Sequence, residues 1–356
     1  MTSVLHCITT ISRGGAETQL LILARQQVLS GKQVTVLFLK GSPDLRSEFI
    51  SAGILIEDSL ADISPFRQVL GLRAYLLSHN FDLVHSHLPR AELVFRFTFS
   101  KIPNTFSRHN AEPFYPNKPR IVSRLLSNFA TSRSKKGIAI SKAVQNYCVR
   151  SREVTTKIEM NVVYYGYDSR FLDSVKNGLH RKFTFGTVAR LVPQKDIPTL
   201  LEAFKYAREQ LPDSKLLIIG DGNDSDKLHE LSSYLGLSDD VTWLTKSHDI
   251  PSAMQEIETF VLPSLYEGFG LVLLEAMSGK CAILATNNSA IPEVLGTDFP
   301  GLFKTGDVLE LTNLMLKSDS EEFRSKLINQ QEERLKLFSP FSMEKQIDEI
   351  YTSLLS

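Results

Sequence analysis

"TFVLPSLYEGFGLVLLEAMSGKCAILAT", residues 259–286, is the stretch whose reading decides the fold. It opens on an apolar run of strand type, "TFVLPS", and turns at Gly268 and Gly270. It then continues through the helix-patterned "FGLVLLEAM", starting at about Gly270, into a second apolar run, "CAILAT". Strand, helix and strand in so short a span imply parallel pairing through a crossover. The alternation extends in both directions. On the N-terminal side "FTFGTVARL", "KLLIIGDG" and "VTWLTK" alternate with helical patterns such as "PTLLEAFKYAREQL" and "DKLHELSSYLGL". Earlier still, "SVLHCIT", "KQVTVLFL", "ILIED", "FDLVHSH", "NTFSRHN", "GIAIS" and "KIEMNVVYY" form a second series. The pattern predicts two doubly wound α/β domains, at 1–168 and 183–338. Between them lies a linker at 169–182, where periodicity fades, and an amphipathic C-terminal helix follows at 339–356.

A chain of 356 residues is too long for one ordinary core and suits two. With 42% hydrophobic and 22% charged residues it reads as a soluble globular protein. No apolar run approaches the roughly 18–20 residues that span a bilayer, and the start lacks the basic and apolar regions of a signal peptide. Cys7, Cys148 and Cys281 have no metal-ligand spacing and read as buried residues of a reducing compartment, with the cytoplasm expected. Net charge is zero, yet residues 1–178 hold 23 Lys and Arg against 13 Asp and Glu, leaving +10 there and −10 in the remainder. From Leu88 to Arg152 there are 13 basic residues and two acidic ones, Glu92 and Glu112. A solvated basic face explains this, and so does a surface that meets an anionic membrane or a phosphate-bearing acceptor. "AELVFRFTFSK" and "RIVSRLLSNFATSRSKK" mix aromatics with cations as interfacial helices do, and also fit core-facing helices.

Four constellations could carry chemistry. In "SRGGAETQL", Gly14 and Gly15 allow a tight turn from strand one into a helix whose free N–H groups suit a phosphate. A purely structural turn fits equally. In "VARLVPQKD", Arg190 and Lys195 straddle a loop that leads into a helix, with Asp196 as N-cap and Pro198 in the first turn. A guanidinium fork and an ammonium together neutralise a diphosphate, although both could also be solvated. Gly222 in "GDG" follows another strand and could open a nucleotide-binding turn. "DSD", Asp224 to Asp226, matches a metal-binding D-x-D, but its acids begin a helix, so no metal is expected there.

Histidines form the third set. His85 and His87 share one side of their strand, without a third ligand spaced to complete a metal site, and read as packed or hydrogen-bonded residues. His109, at a strand tip beside Arg108 and Asn110, is better placed to contact a substrate. The fourth set is the opening stretch itself. Glu275 has Leu271 and Gly279 four residues away and Val272 and Ser278 three away, so no base on its own helix neutralises it. Burial of the carboxylate then demands donors, from a cation on another segment or from the vicinal hydroxyls of a ribose.

In this order and spacing the four sets resemble the retaining glycosyltransferases of family 4, which have the GT-B fold of two Rossmann-like domains facing a cleft. The resemblance covers essentially the whole chain. Its most specific element is E-x7-E, Glu267 to Glu275, after "LPS" and around "GFG". It implies that Gly14 and Gly15 lie near the donor phosphates, with Gly222 also on the donor side. Arg190 and Lys195 would bind the diphosphate of a nucleotide sugar and stabilise it as it leaves. Glu267 and the amides around Phe269 and Gly270 would hold the sugar hydroxyls, and Glu275 the ribose. His109 would stand at the reacting sugar, acting through its ring or its backbone, and Glu293 matches a further family acid. Departures are Ser289-Ala290 for Gly-Gly, Asp196 for Gly, Tyr165 for Asn and Cys281 for Pro.

The function so implied is metal-independent, retaining transfer of a hexosyl or N-acetylhexosaminyl group from a nucleoside-diphosphate sugar. The acceptor would be a lipid-phosphate-linked glycan of cell-surface polysaccharide synthesis, such as lipopolysaccharide or capsule. The enzyme would act in the cytoplasm, peripheral on the inner face of the plasma membrane, with no nucleic acid as partner. Competing readings on the same fold are a nucleotide-sugar 2-epimerase and an inactive nucleotide-binding subunit. A dinucleotide oxidoreductase fails because no G-x-G-x-x-G follows a strand.

Overall fold

The computed structural model describes residues 2–168, 184–245 and 250–356; the linker expected at 169–182 lies outside them. The chain divides into two compact units, residues 1–166 with 339–356 and residues 167–338.

The first unit runs β1 (Ser3–Ile8), α1 (Gly15–Leu29), β2 (Gln33–Phe38), α2 (Arg46–Ser51), β3 (Leu55–Glu57), α3 (Pro65–Ser78), β4 (Leu83–His87) and α4 (Pro89–Phe97). It continues with β5 (Asn104–Arg108), α5 (Arg120–Thr131), β6 (Lys136–Ala139), α6 (Lys142–Arg150) and β7 (Glu159–Val162). Its seven strands are parallel in the order β3-β2-β1-β4-β5-β6-β7. Strand alternation divides the core. Leu5, Cys7, Leu37 and Val84 pack with α3 and α4 residues such as Leu72, Leu76 and Phe95. Ile8, Val34, Val36 and Phe38 pack with Leu20 and Ala24 of α1 and Phe49 of α2. His6, His85 and His87 fall out of the apolar alternation and are buried all the same.

In the second unit β8 (Thr184–Val188), α7 (Ile197–Gln210), β9 (Lys215–Ile219), α8 (Ser225–Tyr234), β10 (Val241–Leu244), α9 (Ile250–Met254) and β11 (Thr259–Leu262) come first. There follow α10 (Leu271–Ser278), β12 (Ala282–Thr286), α11 (Ile291–Leu295), β13 (Leu302–Phe303), α12 (Val308–Lys317) and α13 (Glu321–Leu335). The strand order is β10-β9-β8-β11-β12-β13, again parallel. Strands buried on both faces are nearly continuous apolar runs, as "LLII", "FVL" and "AILA" are. In each unit the order reverses once, between β1 and β4 and between β8 and β11. Ligands of open α/β sheets collect beyond the carboxyl ends of the strands at such a reversal.

The last helix, α14 (Pro340–Leu355), belongs to the first unit and packs on α1. Lys32 Nζ, shielded from water, reaches Glu344 Oε1 at 2.8 Å and Asp348 Oδ1 at 2.9 Å. The Tyr351 hydroxyl lies 2.7 Å from His85 Nδ1 and 3.3 Å from Gln27 Nε2. Among the described residues no helix is long and apolar enough to cross a membrane.

Candidate active site

The loops leaving β8 and β11 flank the reversal of the second sheet, and they carry most of the expected residues. After β8, Arg190 is exposed, and a 3-10 turn over Pro193–Lys195 brings Lys195 back toward the β11 loop. Lys195 Nζ pairs with Glu267 Oε1 at 2.5 Å, both largely buried. Ser264 donates its hydroxyl to the same oxygen at 2.7 Å, and the Glu267 amide donates to Ser289 Oγ at 2.7 Å. Gln194 binds the loops together: its side chain donates to Tyr266 O at 2.9 Å, and its carbonyl accepts from Leu265 N at 2.8 Å. Arg190 Nη2 reaches Gln194 Oε1 at 3.5 Å. Arg190, Lys195 and Glu267 are therefore one cluster, with Gln194, Ser264 and Ser289 as supports that the sequence reading missed. The signal for Ser289 was the departure from Gly-Gly, because its backbone takes the glycine-like φ of 50° while its hydroxyl holds Glu267.

Asp196 is the residue before α7, as expected, but not as an ordinary cap. Its backbone is left-handed (φ 46°, ψ 43°), and its carboxylate accepts from the Thr199 hydroxyl at 2.7 Å. Asp tolerates this region better than most residues. Asp196→Gly relieves the strain and loses the Thr199 bond, two effects of about 1 kcal/mol that offset one another. Thermal melts are expected to place Asp196→Gly near the wild type and Asp196→Ala about 1–2 kcal/mol below it.

Gly222 has a different explanation from a nucleotide turn. A Cβ there would lie 2.0 Å from Leu191 O, because the β9 loop runs directly over the β8 loop. Leu191 N donates to Asp221 O at 2.9 Å, and Asp224 N to Leu191 O at 3.1 Å. Gly222 thus holds the backbone between Arg190 and Lys195. Asp224 precedes α8 and Asp226 lies in its first turn, as read. Gly270, left-handed at φ 87°, is the N-cap of α10, which agrees with the expected start at about Gly270. The Phe269 ring is buried against Phe338, which leaves only its main chain for a ligand. Gly268 joins Glu267 to it in the same loop. Glu275 corrects the expectation of a buried helix: it is half-buried beside Leu271 and Val272, while Leu273, Leu274, Ala276 and Met277 form the buried face. Glu293 lies in α11, half-buried.

In the first unit Gly14 is the N-cap of α1 with an extended backbone (φ −157°), so the turn needs no glycine-only conformation. Its missing side chain leaves room for the Glu17 carboxylate, which would stand 2.5 Å from a Cβ and which accepts from Thr10 Oγ1. Gly15 begins the helix. Two residues beyond Glu17, Gln19 clasps the Gly166 backbone, donating to its carbonyl at 2.9 Å and accepting from its amide at 3.2 Å. That clasp brings the turn near Tyr165, whose hydroxyl bonds His109 Nδ1. His109 Nε2 faces His87 Nδ1 at 3.2 Å, so both ring nitrogens of His109 are committed within the protein.

His6, His85 and His87 lie close enough together to hold a metal ion, with His6 the third member that sequence spacing hid. Each of their ring nitrogens has a hydrogen-bond partner instead. Burial lowers the His6 pKa to about 4 and the His109 pKa to about 3, the latter helped by neighbouring Arg108. His85 and His87 fall well below 6.5, first through burial and then through the neighbouring rings. The rings are neutral at physiological pH.

Behind His109, Arg108 donates to Glu92 Oε1 at 2.9 Å and to Ser127 Oγ at 2.8 Å, tying β5 to α4 and α5. Glu92 Oε2 has no hydrogen-bond partner among the described residues, and burial raises the Glu92 pKa to about 7 against the pull of Arg108. The folded carboxyl therefore holds its proton more tightly than the free chain. Its contribution to stability is full below pH 4.5 and lost as pH rises through about 7. Relative to Glu92→Gln, the wild type is expected to lose about 3 kcal/mol of unfolding free energy across that window, measured by urea titration at each pH.

Two open parallel sheets of this order, with an acid–base cluster at the reversal of the second, define the class: a GT-B protein. Anabaena HepE in complex with UDP superposes with a TM-score of 0.83 at 22% identity, covering 99% of this chain and 100% of that one. Two family models match, Glycosyltransferase Family 4 over residues 13–171 and Glycosyl transferases group 1 over residues 169–334, and the chain belongs to the family 4 glycosyltransferases. It is 24% identical over 307 residues to the UDP-Gal:alpha-D-GlcNAc-diphosphoundecaprenol alpha-1,3-galactosyltransferase of Escherichia coli, covering 81% of this chain and 79% of that protein. It is 29% identical over 298 residues to the phosphatidyl-myo-inositol mannosyltransferase of Propionibacterium freudenreichii, covering 77% and 72%.

Proposed function

We propose that the chain transfers a sugar, with retention and without a divalent metal, from a nucleoside-diphosphate sugar to a lipid-phosphate-linked glycan in cell-surface polysaccharide synthesis. The observation that carries this reading is the Lys195–Glu267 pair, held by two loops at the β8/β11 reversal with Arg190 alongside. The UDP of the HepE structure and the donor and acceptor in the E. coli relative's name support it. In the reaction the bond from the anomeric carbon to the diphosphate oxygen breaks, its electron pair leaving with the diphosphate. The acceptor oxygen bonds the same face of that carbon and gives its proton to the departing phosphate oxygen. Arg190 and Lys195 stabilise the charge that develops on the diphosphate. Glu267, with Gly268, Phe269 and Gly270 in the loop beside it, receives the sugar hydroxyls, and Glu275 the ribose. Gly14 and Gly15 serve the donor phosphates. His109, its ring nitrogens already engaged, serves the sugar through its main chain.

A donor panel tests this: purified protein, nucleoside diphosphate release with and without a polyprenyl-diphosphate-linked acceptor, with and without chelator. Acceptor-dependent release that survives chelator and gives a retained linkage is expected. Release abolished by chelator, an inverted product, or a free epimer of the donor sugar sinks the reading.

The acceptor's lipid calls for a peripheral membrane contact on the inner face of the plasma membrane. Ile121 and Leu125, on one side of α5, are more than half exposed. The Phe97 and Phe129 rings lie 4.9 Å apart, tilted by 47°, and Arg96 lies 4.4 Å over Phe129 and 5.4 Å from Phe99. Exposed apolar groups among cations fit an anionic bilayer. Leu125→Glu with Phe99→Glu is expected to reduce cosedimentation with phosphatidylglycerol vesicles at least tenfold. Wild-type binding that is indifferent to salt, or equal on phosphatidylcholine, overturns this contact.

A further inference from the structure

The buried histidines and His109 form one unbranched line of hydrogen bonds. Gln27 Oε1 faces His6 Nε2 at 2.8 Å, His6 Nδ1 faces His87 Nε2 at 3.0 Å, and His87 Nδ1 faces His109 Nε2 at 3.2 Å. His109 Nδ1 meets the Tyr165 hydroxyl. A neutral imidazole carries a single N–H, so a ring that accepts at one nitrogen donates at the other. A choice made at one end therefore runs to the other end. An amide oxygen can only accept. Facing Gln27 Oε1, His6 holds its proton on Nε2 and accepts at Nδ1. His87 must then donate from Nε2, His109 likewise, and the Tyr165 hydroxyl must donate into His109.

A second limb obeys the same rule. Gln27 Nε2 donates to the Tyr351 oxygen at 3.3 Å, which turns the Tyr351 proton toward His85 Nδ1 at 2.7 Å. His85 Nε2 then donates to Ser107 Oγ at 2.8 Å. Half a turn of the Gln27 amide would reverse every donor in both limbs. A single reversed ring would set two N–H groups, or two lone pairs, against each other where no water can intervene.

We propose that Gln27 fixes His6, His85, His87 and His109 in the Nε2–H tautomer as one unit, directs the Tyr165 hydroxyl into His109, and is thereby a positioning residue for His109. The catalytic part rests on the reading above that His109 stands at the reacting sugar. The test is long-range ¹⁵N–¹H correlation on the full chain with ¹⁵N-histidine, which distinguishes Nε2–H from Nδ1–H without substrate. Wild type is expected to show these rings as Nε2–H. Tyr165→Phe leaves them so, because the amide end decides. Gln27→Met mixes the tautomers. Gln27→Glu, whose oxygens only accept, restores Nε2–H at His6, His87 and His109, but it draws the Tyr351 proton to itself and turns His85 to Nδ1–H.

Turnover of Gln27→Met is expected to fall about tenfold at unchanged donor KM, as when an outer partner of a positioned histidine is lost. Turnover returns in Gln27→Glu. Nδ1–H rings in the wild type overturn the assignment. So do unmixed tautomers in Gln27→Met, scrambling by Tyr165→Phe, or stoichiometric metal on the rings. Mixed tautomers with unchanged kcat overturn the positioning role. A failure of the transferase reading shows separately, as a wild type that turns over no donor while its spectra stand.

Discussion

Lys195→Ala is expected to lower kcat for sugar transfer about a thousandfold, the upper end for losing one preorganised charge at a developing anion. The ammonium offers three donors, and Glu267 takes one at 2.5 Å, which leaves donors for a phosphate. The substitution also strands Glu267, a buried acid whose remaining side-chain partner is the Ser264 hydroxyl. Breaking a buried pair from one side costs about 3–5 kcal/mol, reduced here by the Ser264 bond. Stability and catalysis must therefore be separated. Adding Glu267→Gln removes the stranded charge, so the double variant is expected to regain most of the lost melting temperature and none of the turnover. Recovery of turnover along with stability would reduce Lys195 to a structural partner. Lys195→Arg is no substitute, because a broad planar guanidinium cannot occupy the place of a compact ammonium beside Glu267.

Gly222→Ala is the second large effect, and it arises without touching any charged group. The added Cβ would meet Leu191 O at 2.0 Å, its carbonyl carbon at 2.5 Å and its amide nitrogen at 2.7 Å, all of them backbone. No side chain can swing away, so one loop must leave the other and the two hydrogen bonds between them break. About 3–5 kcal/mol of destabilisation is expected, with turnover falling as Leu191 displaces Arg190 and Lys195. Gly236→Ala is the control. Unlike Gly222 it has a left-handed backbone, with φ 74°, but nothing lies within 4 Å of a Cβ there, so about 1 kcal/mol is expected. Equal urea midpoints for the two variants would refute the close-approach explanation.

The contrast between the two units explains what the sequence disclosed. Strands such as "LLII" and "AILA" are covered on both faces, so their runs stand out wherever they fall. β13, with only Leu302 and Phe303, is too short to show any pattern. Glu267 was legible because glycines follow it beyond a strand end, and Arg190 and Lys195 because they straddle a loop that leads from a strand into a helix. Their supports were not: Gln194 and Ser264 are ordinary polar residues until two distant loops meet. His85 and His87 were rightly placed on one side of β4, but their partners come from β1, from β5 and the residue after it, and from the far end of the chain. Pairing of that kind leaves no periodic trace. Glu275 seemed anomalous because "LVLLEAM" is apolar around it; the helix simply leaves one stripe open.

The first unit is discontinuous: Tyr351 and Glu344, which close over Gln27, His85 and Lys32, follow the whole of the second unit along the chain. Domains ordinarily fold in the order in which the ribosome releases them. Here residues 1–166 leave the tunnel without the helix that covers their histidines and wait through 172 further residues before Ser339, which caps it, is made. Translation alone therefore delays the limb from Gln27 through Tyr351 to His85 until the second unit has had time to fold, while the line from Gln27 to Tyr165 needs no later residue.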